Sequence, residues 1–237
     1  MTPVALPTEP QVRKASPYDA RVFVGGVPKV GKSTLASQWN PKETLFFDCE
    51  GGTRLLDGEH FVLPVNRYQD FVDAITLLKG EHPYKTVIVD TVDQLVKLAD
   101  RHVADGRKTI AAGVVEFGKG LAELEGLVRR DIGALLAMDV GVWFLGHTEL
   151  VGDDKASRMV PTVDKRVRPY IIGACDFILL AETIGSRRIL HTQPSERYEA
   201  GSRVAMPEPL DLDARKLYAA MYEGLNPAGK SKEANGK

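Results

Sequence analysis

Nine residues, Gly26-Val27-Pro28-Lys29-Val30-Gly31-Lys32-Ser33-Thr34, stand between an apolar run and a helical pattern. Their spacing is that of a loop that wraps phosphate. Gly26 and Gly31 let the backbone curl so that successive N–H groups point inward at phosphate oxygens. A helix beginning near Lys32 turns its positive end to the same point. The Lys32 ammonium has the reach for β- and γ-phosphates, and the Ser33 hydroxyl is a ligand type for Mg²⁺. The chemistry implied is the binding of a nucleoside triphosphate with Mg²⁺. Lys29 is either a solvated loop lysine or a further phosphate contact, in cis or to a neighbouring subunit.

Carboxylates at strand ends complete such a site. Thr86-Val87-Ile88-Val89-Asp90 is an apolar run closed by an acid, the place from which an aspartate orients Mg²⁺. Thr91 comes next, so the Asp-Glu pair that many ATPases use is absent. A base must then come from another strand. Leu45-Phe46-Phe47-Asp48-Cys49-Glu50 ends in two acids, with Gly51-Gly52 to bend the exit. Glu50 is the candidate base and Asp48 the alternate; the competing reading is a pair of solvated acids. Asp93 reads as a helix N-terminal acid complementing the dipole. Val142 to Leu145 leads to Gly146-His147-Thr148, where His147 would face the γ-phosphate if its strand lies between those of the phosphate loop and Asp90. His60, His82, His102 and His191 lack metal-ligand spacing.

Cations gather in two later stretches. The first, His102 to Gly120, carries Arg107, Lys108 and Lys119 among glycines. The second, Val151 to Pro169, carries Lys155, Arg158, Lys165, Arg166 and Arg168 against Asp164 from Lys155 onward. Arg187, Arg188, Arg197 and Arg203 come after them. Lys and Arg on loops can track a phosphate backbone without reading bases, and Tyr170 could stack on one. Two other readings compete: an ordinary solvated surface, and trans-acting fingers (Lys165, Arg166 or Arg168) on a neighbour's nucleotide.

The elements that must position these groups are legible as alternation. Apolar runs at Arg21–Gly25, Thr44–Asp48, Thr86–Asp90, Gly141–Gly146 and Asp176–Ala181 lack polar alternation, as do parallel strands buried on both faces. Helical patterns separate them: Ser33–Trp39 before Pro41, a Phe71/Ile75/Leu78 stripe with Asn66 as N-cap and Gly80 as stop, a Val92–Val103 stripe, and a Leu121–Leu135 stripe. Arg188–Gln193 and Arg203–Met206 read as antiparallel strands about a turn at Pro194–Ser195. Asp211–Tyr222 reads as a closing helix. Residues 1–19, with Pro3, Pro7, Pro10 and Pro17, read as a flexible tail or irregular wrap. Residues 226–237 read as a disordered tail, leaving 20–225 as the folded domain.

The chain has 237 residues and a formal net charge of −1, which excludes a basic nucleic-acid coat but not a local basic groove. Five acids against Arg54 alone between Glu43 and Glu59 offset the cationic stretch from Lys155 to Arg168. Cys49 and Cys175 lie far apart in apolar surroundings, so no disulfide framework is expected. Neither a signal peptide nor a membrane span is expected, which points to a cytoplasmic protein.

The order of these parts resembles the RecA-like P-loop NTPase core: phosphate loop, strand ending at Glu50, strand ending at Asp90, strand ending at His147, basic loop. The resemblance is closer still to phage-encoded AAA ATPases that include the Sak-type single-strand annealing proteins. It is carried by Gly26–Thr34, Phe47–Gly51, Glu116-Phe117-Gly118-Lys119-Gly120, Gly146-His147-Thr148 and Pro194–Ala200, and runs from about Arg21 to Tyr222. It implies an α/β fold with a mainly parallel sheet in the order 5-1-4-3-2, flanked by helices and extended by a C-terminal antiparallel hairpin. It implies ATP and Mg²⁺ as ligands, Glu50 as the residue orienting water, and His147 as sensor where RecA has glutamine. It also implies single-stranded DNA as partner, homo-oligomerisation into a filament or ring, a single-strand-binding protein as further partner, and a phage-infected or prophage-bearing cell. Slow hydrolysis stimulated by assembly or DNA would result, with charge supplied by a neighbour. A small-molecule kinase and a nucleotide-gated adaptor are the alternatives.

Overall fold

Runs of Val, Ile, Leu and Phe with no polar alternation can only be satisfied when both sheet faces are covered. The computed structural model, which describes residues 6, 8–9, 15–115, 118–152 and 157–227, shows that arrangement. The strands are β1 (Arg21–Gly26), β2 (Thr44–Asp48), β3 (Phe61–Pro64), β4 (Thr86–Asp90), β5 (Gly141–Gly146), β6 (Thr148–Val151), β7 (Arg158–Pro161), β8 (Phe177–Ile184), β9 (Arg187–His191), β10 (Gly201–Ser202) and β11 (Leu210–Asp211). The helices are α1 (Lys32–Ser37), α2 (Tyr68–Leu77), α3 (Val92–Arg107), α4 (Lys119–Leu136), α5 (Arg168–Ala174) and α6 (Ala214–Leu225).

The main sheet runs β11-β9-β8-β1-β5-β4-β2-β3, with β10 also beside β8. Its centre, β8-β1-β5-β4-β2, is parallel and is the expected 5-1-4-3-2 order. Alternate residues of each strand feed opposite cores. Phe23, Phe47, Val89 and Phe144 pack with residues of α2, α3 and α4. Val22, Val24, Ile88, Trp143 and Leu145 pack with residues of α1 and α6. On that second face Trp39 and Trp143 meet with ring centroids 4.7 Å apart.

Several expectations are corrected. A short edge strand, β3, extends the sheet beyond β2. Arg188–Gln193 does supply a strand, but β9 folds back on β8 about Gly185, whose φ of 61° suits glycine, rather than pairing with Arg203–Met206. The residues that pair with β8 from that later region are Gly201–Ser202. The Val151–Pro169 stretch is not one loop. It contains the second strand of a separate hairpin, β6–β7, and leads into α5. His102–Arg107 is the last turn and a half of α3 rather than loop. The N-cap of α2 is Arg67 rather than Asn66, and Asp70 in the first turn reaches back, its Oδ2 accepting the N–H groups of Asn66 (3.1 Å) and Arg67 (2.8 Å). Most of the expected tails lies outside the described residues, but Pro17–Asp19 forms a turn that sets Tyr18 edge-on to Trp39. Both cysteines are free and buried, and burial pushes both thiols up. Among the described residues no helix is long and apolar enough to cross a membrane.

Candidate functional site

The phosphate loop joins β1 to α1 at the carboxyl end of the parallel strands, where ligands of open α/β sheets sit. Gly31 takes φ 112° and precedes the first helical residue, Lys32. Only glycine fits there: a Cβ would meet Leu212 Cδ2 at 2.9 Å and Arg188 Nη1 at 3.3 Å. The buried Lys32 ammonium donates to the carbonyls of Gly26 (2.9 Å) and Val27 (3.2 Å). Burial lowers its pKa, while Asp90, Glu50 and Asp93 oppose that shift. Val30 turns into the core and Val27 is exposed. Pro28, Lys29, Gly31, Lys32, Ser33 and Thr34 line a pocket of about 370 Å³ with Glu50, Asp90, Thr91, His147 and Arg188. A neighbouring cavity of about 330 Å³ shares Thr34, Leu55 and Leu56 with it.

Parallel register brings the acids to one level, with Asp48 opposite Asp90. Their environments differ. Asp48 Oδ1 accepts the N–H groups of Glu50, Gly51 and Gly52 at 3.1, 2.7 and 3.3 Å. Its Oδ2 accepts the Thr53 N–H at 3.2 Å and the Thr53 hydroxyl. Asp48 thus shapes the turn that presents Glu50, which removes it as the alternate base. The Glu50 carboxylate is about one-third exposed, and its Oε1 accepts the Thr91 hydroxyl at 2.6 Å.

Asp90 is buried. Burial raises its pKa to about 6; the Ser33 hydroxyl and Lys32 pull it down, and Asp48 and Glu50 push it up. Its Oδ2 is buried without a hydrogen-bond partner. An orphaned carboxylate oxygen beside a serine hydroxyl is the hard oxygen donor set that suits Mg²⁺. A divalent cation there would favour the ionised carboxylate. The residues present fit the ion.

Strand β5 lies between β1 and β4, so the condition placed on His147 is met and its ring lines the pocket. Its Nδ1 is 3.8 Å from Glu50 Oε1 and 3.6 Å from Asp93 Oδ2. Asp93 does more than complement a helix dipole. Its Oδ2 accepts the His147 N–H (2.7 Å) and its Oδ1 the Thr162 hydroxyl (2.6 Å), while the Thr162 N–H donates to the His147 carbonyl (2.9 Å). One buried carboxylate therefore clasps both feet of the β6–β7 hairpin to the start of α3.

The cations separate into groups. Arg107, Lys108 and Lys119 sit at the α3–α4 junction and line no wall of the phosphate pocket; Arg107 is paired with Glu123 at 2.6 Å. Arg158 is on β7, 3.8 Å from Glu199. Lys165 is exposed, Arg166 is paired with Asp164 at 3.3 Å, and Arg168 Nη1 donates to the Pro161 carbonyl at 3.2 Å. Lys155 lies outside the described residues, as do Glu116 and Phe117. Tyr170 is stacked by its own chain, under the Arg129 guanidinium 5.5 Å from the ring centre. Arg187 and Arg203 are paired with Asp211 and Asp176. Arg188, expected among the DNA-contacting cations, lines the phosphate pocket instead; no spacing rule could have found it, because β9 reaches the loop only through the antiparallel fold-back.

Residues 19–204 match the family model described as AAA domain. The chain is 28% identical over 170 residues to the SPbeta prophage-derived uncharacterized protein YorG of Bacillus subtilis (strain 168), covering 69% of this chain and 51% of that protein. It therefore spans about half the length of that relative.

Proposed function

This chain belongs to the AAA domain family, an AAA-type P-loop ATPase domain, and from that premise we propose a Mg²⁺-dependent ATPase that binds single-stranded DNA and assists annealing or strand pairing in phage recombination. The observation that carries the ATPase reading is convergence: Lys32, Ser33, Glu50, Asp90 and His147 line one pocket at the carboxyl ends of adjacent parallel strands. In use, Lys32 exchanges the Gly26 and Val27 carbonyls for β- and γ-phosphate oxygens. Ser33 and Asp90 hold Mg²⁺, which when bound neutralises charge on the phosphates. Thr91 fixes one oxygen of Glu50 and leaves the other to orient the attacking water and take its proton. His147 reads the γ-phosphate and passes the difference to the β6–β7 hairpin through its own backbone.

The DNA part of the proposal is supported by the likeness to Sak-type annealing proteins, by the prophage origin in the relative's name, and by the hairpin itself. It leaves the pocket immediately after His147 and carries Arg158, with Lys165, Arg166 and Arg168 just beyond. Assembly into a filament or ring, contact with a single-strand-binding protein, and action in the cytoplasm of a phage-infected or prophage-bearing cell belong to the same reading. The test is ATPase turnover with and without single-stranded DNA, alongside Lys32→Ala and Glu50→Gln. Stimulation by DNA, loss of nucleotide binding in the first variant, and loss of turnover with retained ATP binding in the second are expected. No stimulation by DNA would remove the recombination role, and ATP affinity unchanged in Lys32→Ala would remove the nucleotide site.

A further inference from the structure

We propose that Arg188 is the cation that stabilises the leaving phosphate during hydrolysis, supplied in cis, so that each protomer holds a complete hydrolytic site. This rests on the ATPase reading. Sequence order alone suggests that the stabilising charge must come from a neighbour. The folded chain carries an arginine already at the wall of the loop. Strand β9 returns antiparallel on β8, which lies beside β1, and so brings Arg188 over Gly31. Successive residues of a strand point to opposite faces. Arg187 accordingly goes to Asp211 at 2.7 Å, and Arg188 goes to the pocket.

Two further observations favour phosphate as its ligand. Among the described residues no carboxylate lies within 4.0 Å of the Arg188 guanidinium, whereas Arg107, Arg166 and Arg187 each have one. A cation kept near Lys32 and Lys29 without a carboxylate partner suits a polyanionic ligand, and the planar guanidinium matches two phosphate oxygens at once. Its position beside Gly31, one residue before the lysine that reaches the β- and γ-phosphates, puts it on the β-phosphate side. There charge grows as the reaction proceeds. The water oxygen bonds to the γ-phosphorus while the bond to the β,γ-bridging oxygen breaks. ADP leaves with that electron pair, and the water's proton passes to Glu50 and then to solvent. A donor at the leaving oxygens is worth most in the transition state.

Arg188 is exposed, so Arg188→Ala should keep the wild-type melting temperature. Its kcat should fall about a hundredfold or more, with affinity for a non-hydrolysable ATP analogue reduced less than tenfold, and Arg188→Lys should recover part of the loss. Wild-type turnover per protomer should not change with protein concentration. Mixing Arg188→Ala with Glu50→Gln should restore nothing, because each protomer lacks one part of its own site. Recovery on mixing would show the arginine acting in trans and overturn the inference. So would unchanged kcat in Arg188→Ala, or a loss confined to ATP affinity. A wild type without ATPase under any condition would instead defeat the parent reading, and this one with it.

Discussion

The ends of β2 and β4 offer a controlled comparison. Each strand is a five-residue apolar run closed by aspartate, each is buried along its length, and the two aspartates are opposite one another in register. Asp48 accepts five hydrogen bonds from the turn it begins. Asp90 is left with a buried oxygen that nothing in the described fold satisfies. The difference lies in the chain just beyond each acid. Glu50-Gly51-Gly52-Thr53 is a flexible exit whose N–H groups can curl back onto a carboxylate. Thr91-Val92-Asp93 enters a helix at once, directing its N–H groups elsewhere. One acid builds structure, and the other keeps a buried oxygen with no partner among the described residues.

That contrast can be broken most forcefully at turnover. Asp90→Asn should lower kcat by about a hundredfold or more, measured as phosphate release at saturating ATP and Mg²⁺; near-wild-type turnover would end its assigned role. The next effect is on stability, at the other acid. Asp48→Ala should cost about 3 kcal/mol, because the buried Thr53 N–H and hydroxyl and three part-buried N–H groups lose their acceptor, or roughly 6–12 °C in Tm. Asp48→Asn, which keeps one acceptor oxygen, should lose less. A loss of less than about 1 kcal/mol in Asp48→Ala would mean that the turn does not depend on the carboxylate.

A pH series sharpens the same comparison. Burial raises Asp90 from 3.8 to about 6 in the fold, so between those values the folded chain holds a proton that the unfolded chain has released. The contribution of Asp90 to stability without nucleotide or Mg²⁺ should therefore be fullest below about pH 4 and be lost as pH rises to about 6. The fall approaches 3 kcal/mol, at about 1.4 kcal/mol per pKa unit. Denaturant unfolding of Asp90→Asn should lack that component, making it the more stable protein at pH 8. An identical pH dependence in both proteins would refute the burial argument. Away from both sites, Arg107→Ala removes a half-exposed ion pair and should cost less than about 1 kcal/mol.

How much of this is legible in the sequence depends on range. The five buried strands announce themselves because burial on both faces leaves no polar alternation. The phosphate loop does so because its chemistry is contiguous. Strand order comes from resemblance, since periodicity says nothing about which strands are neighbours. β3 escapes notice because Phe61-Val62-Leu63-Pro64 is short, ends in proline and pairs on one side only. The β6–β7 hairpin hides among cations that read as loop. Asp48 looks like a base because its acceptors are filled by backbone groups, which composition does not display. Asp93 and Arg188 are opaque for a common reason: each acts on residues that are close in space and far apart in the chain.

The Asp93 clasp has a thermodynamic consequence. The carboxylate that holds the His147 backbone also holds Thr162 at the hairpin's other foot, so the two cannot shift independently without breaking a hydrogen bond to it. If the proposed nucleotide binds the two settings of the clasp unequally, any molecule that grips the hairpin and prefers one setting changes ATP affinity by a definite factor. ATP must change that molecule's affinity by the same factor. The two equilibria are linked with a single coupling constant, measurable from either side.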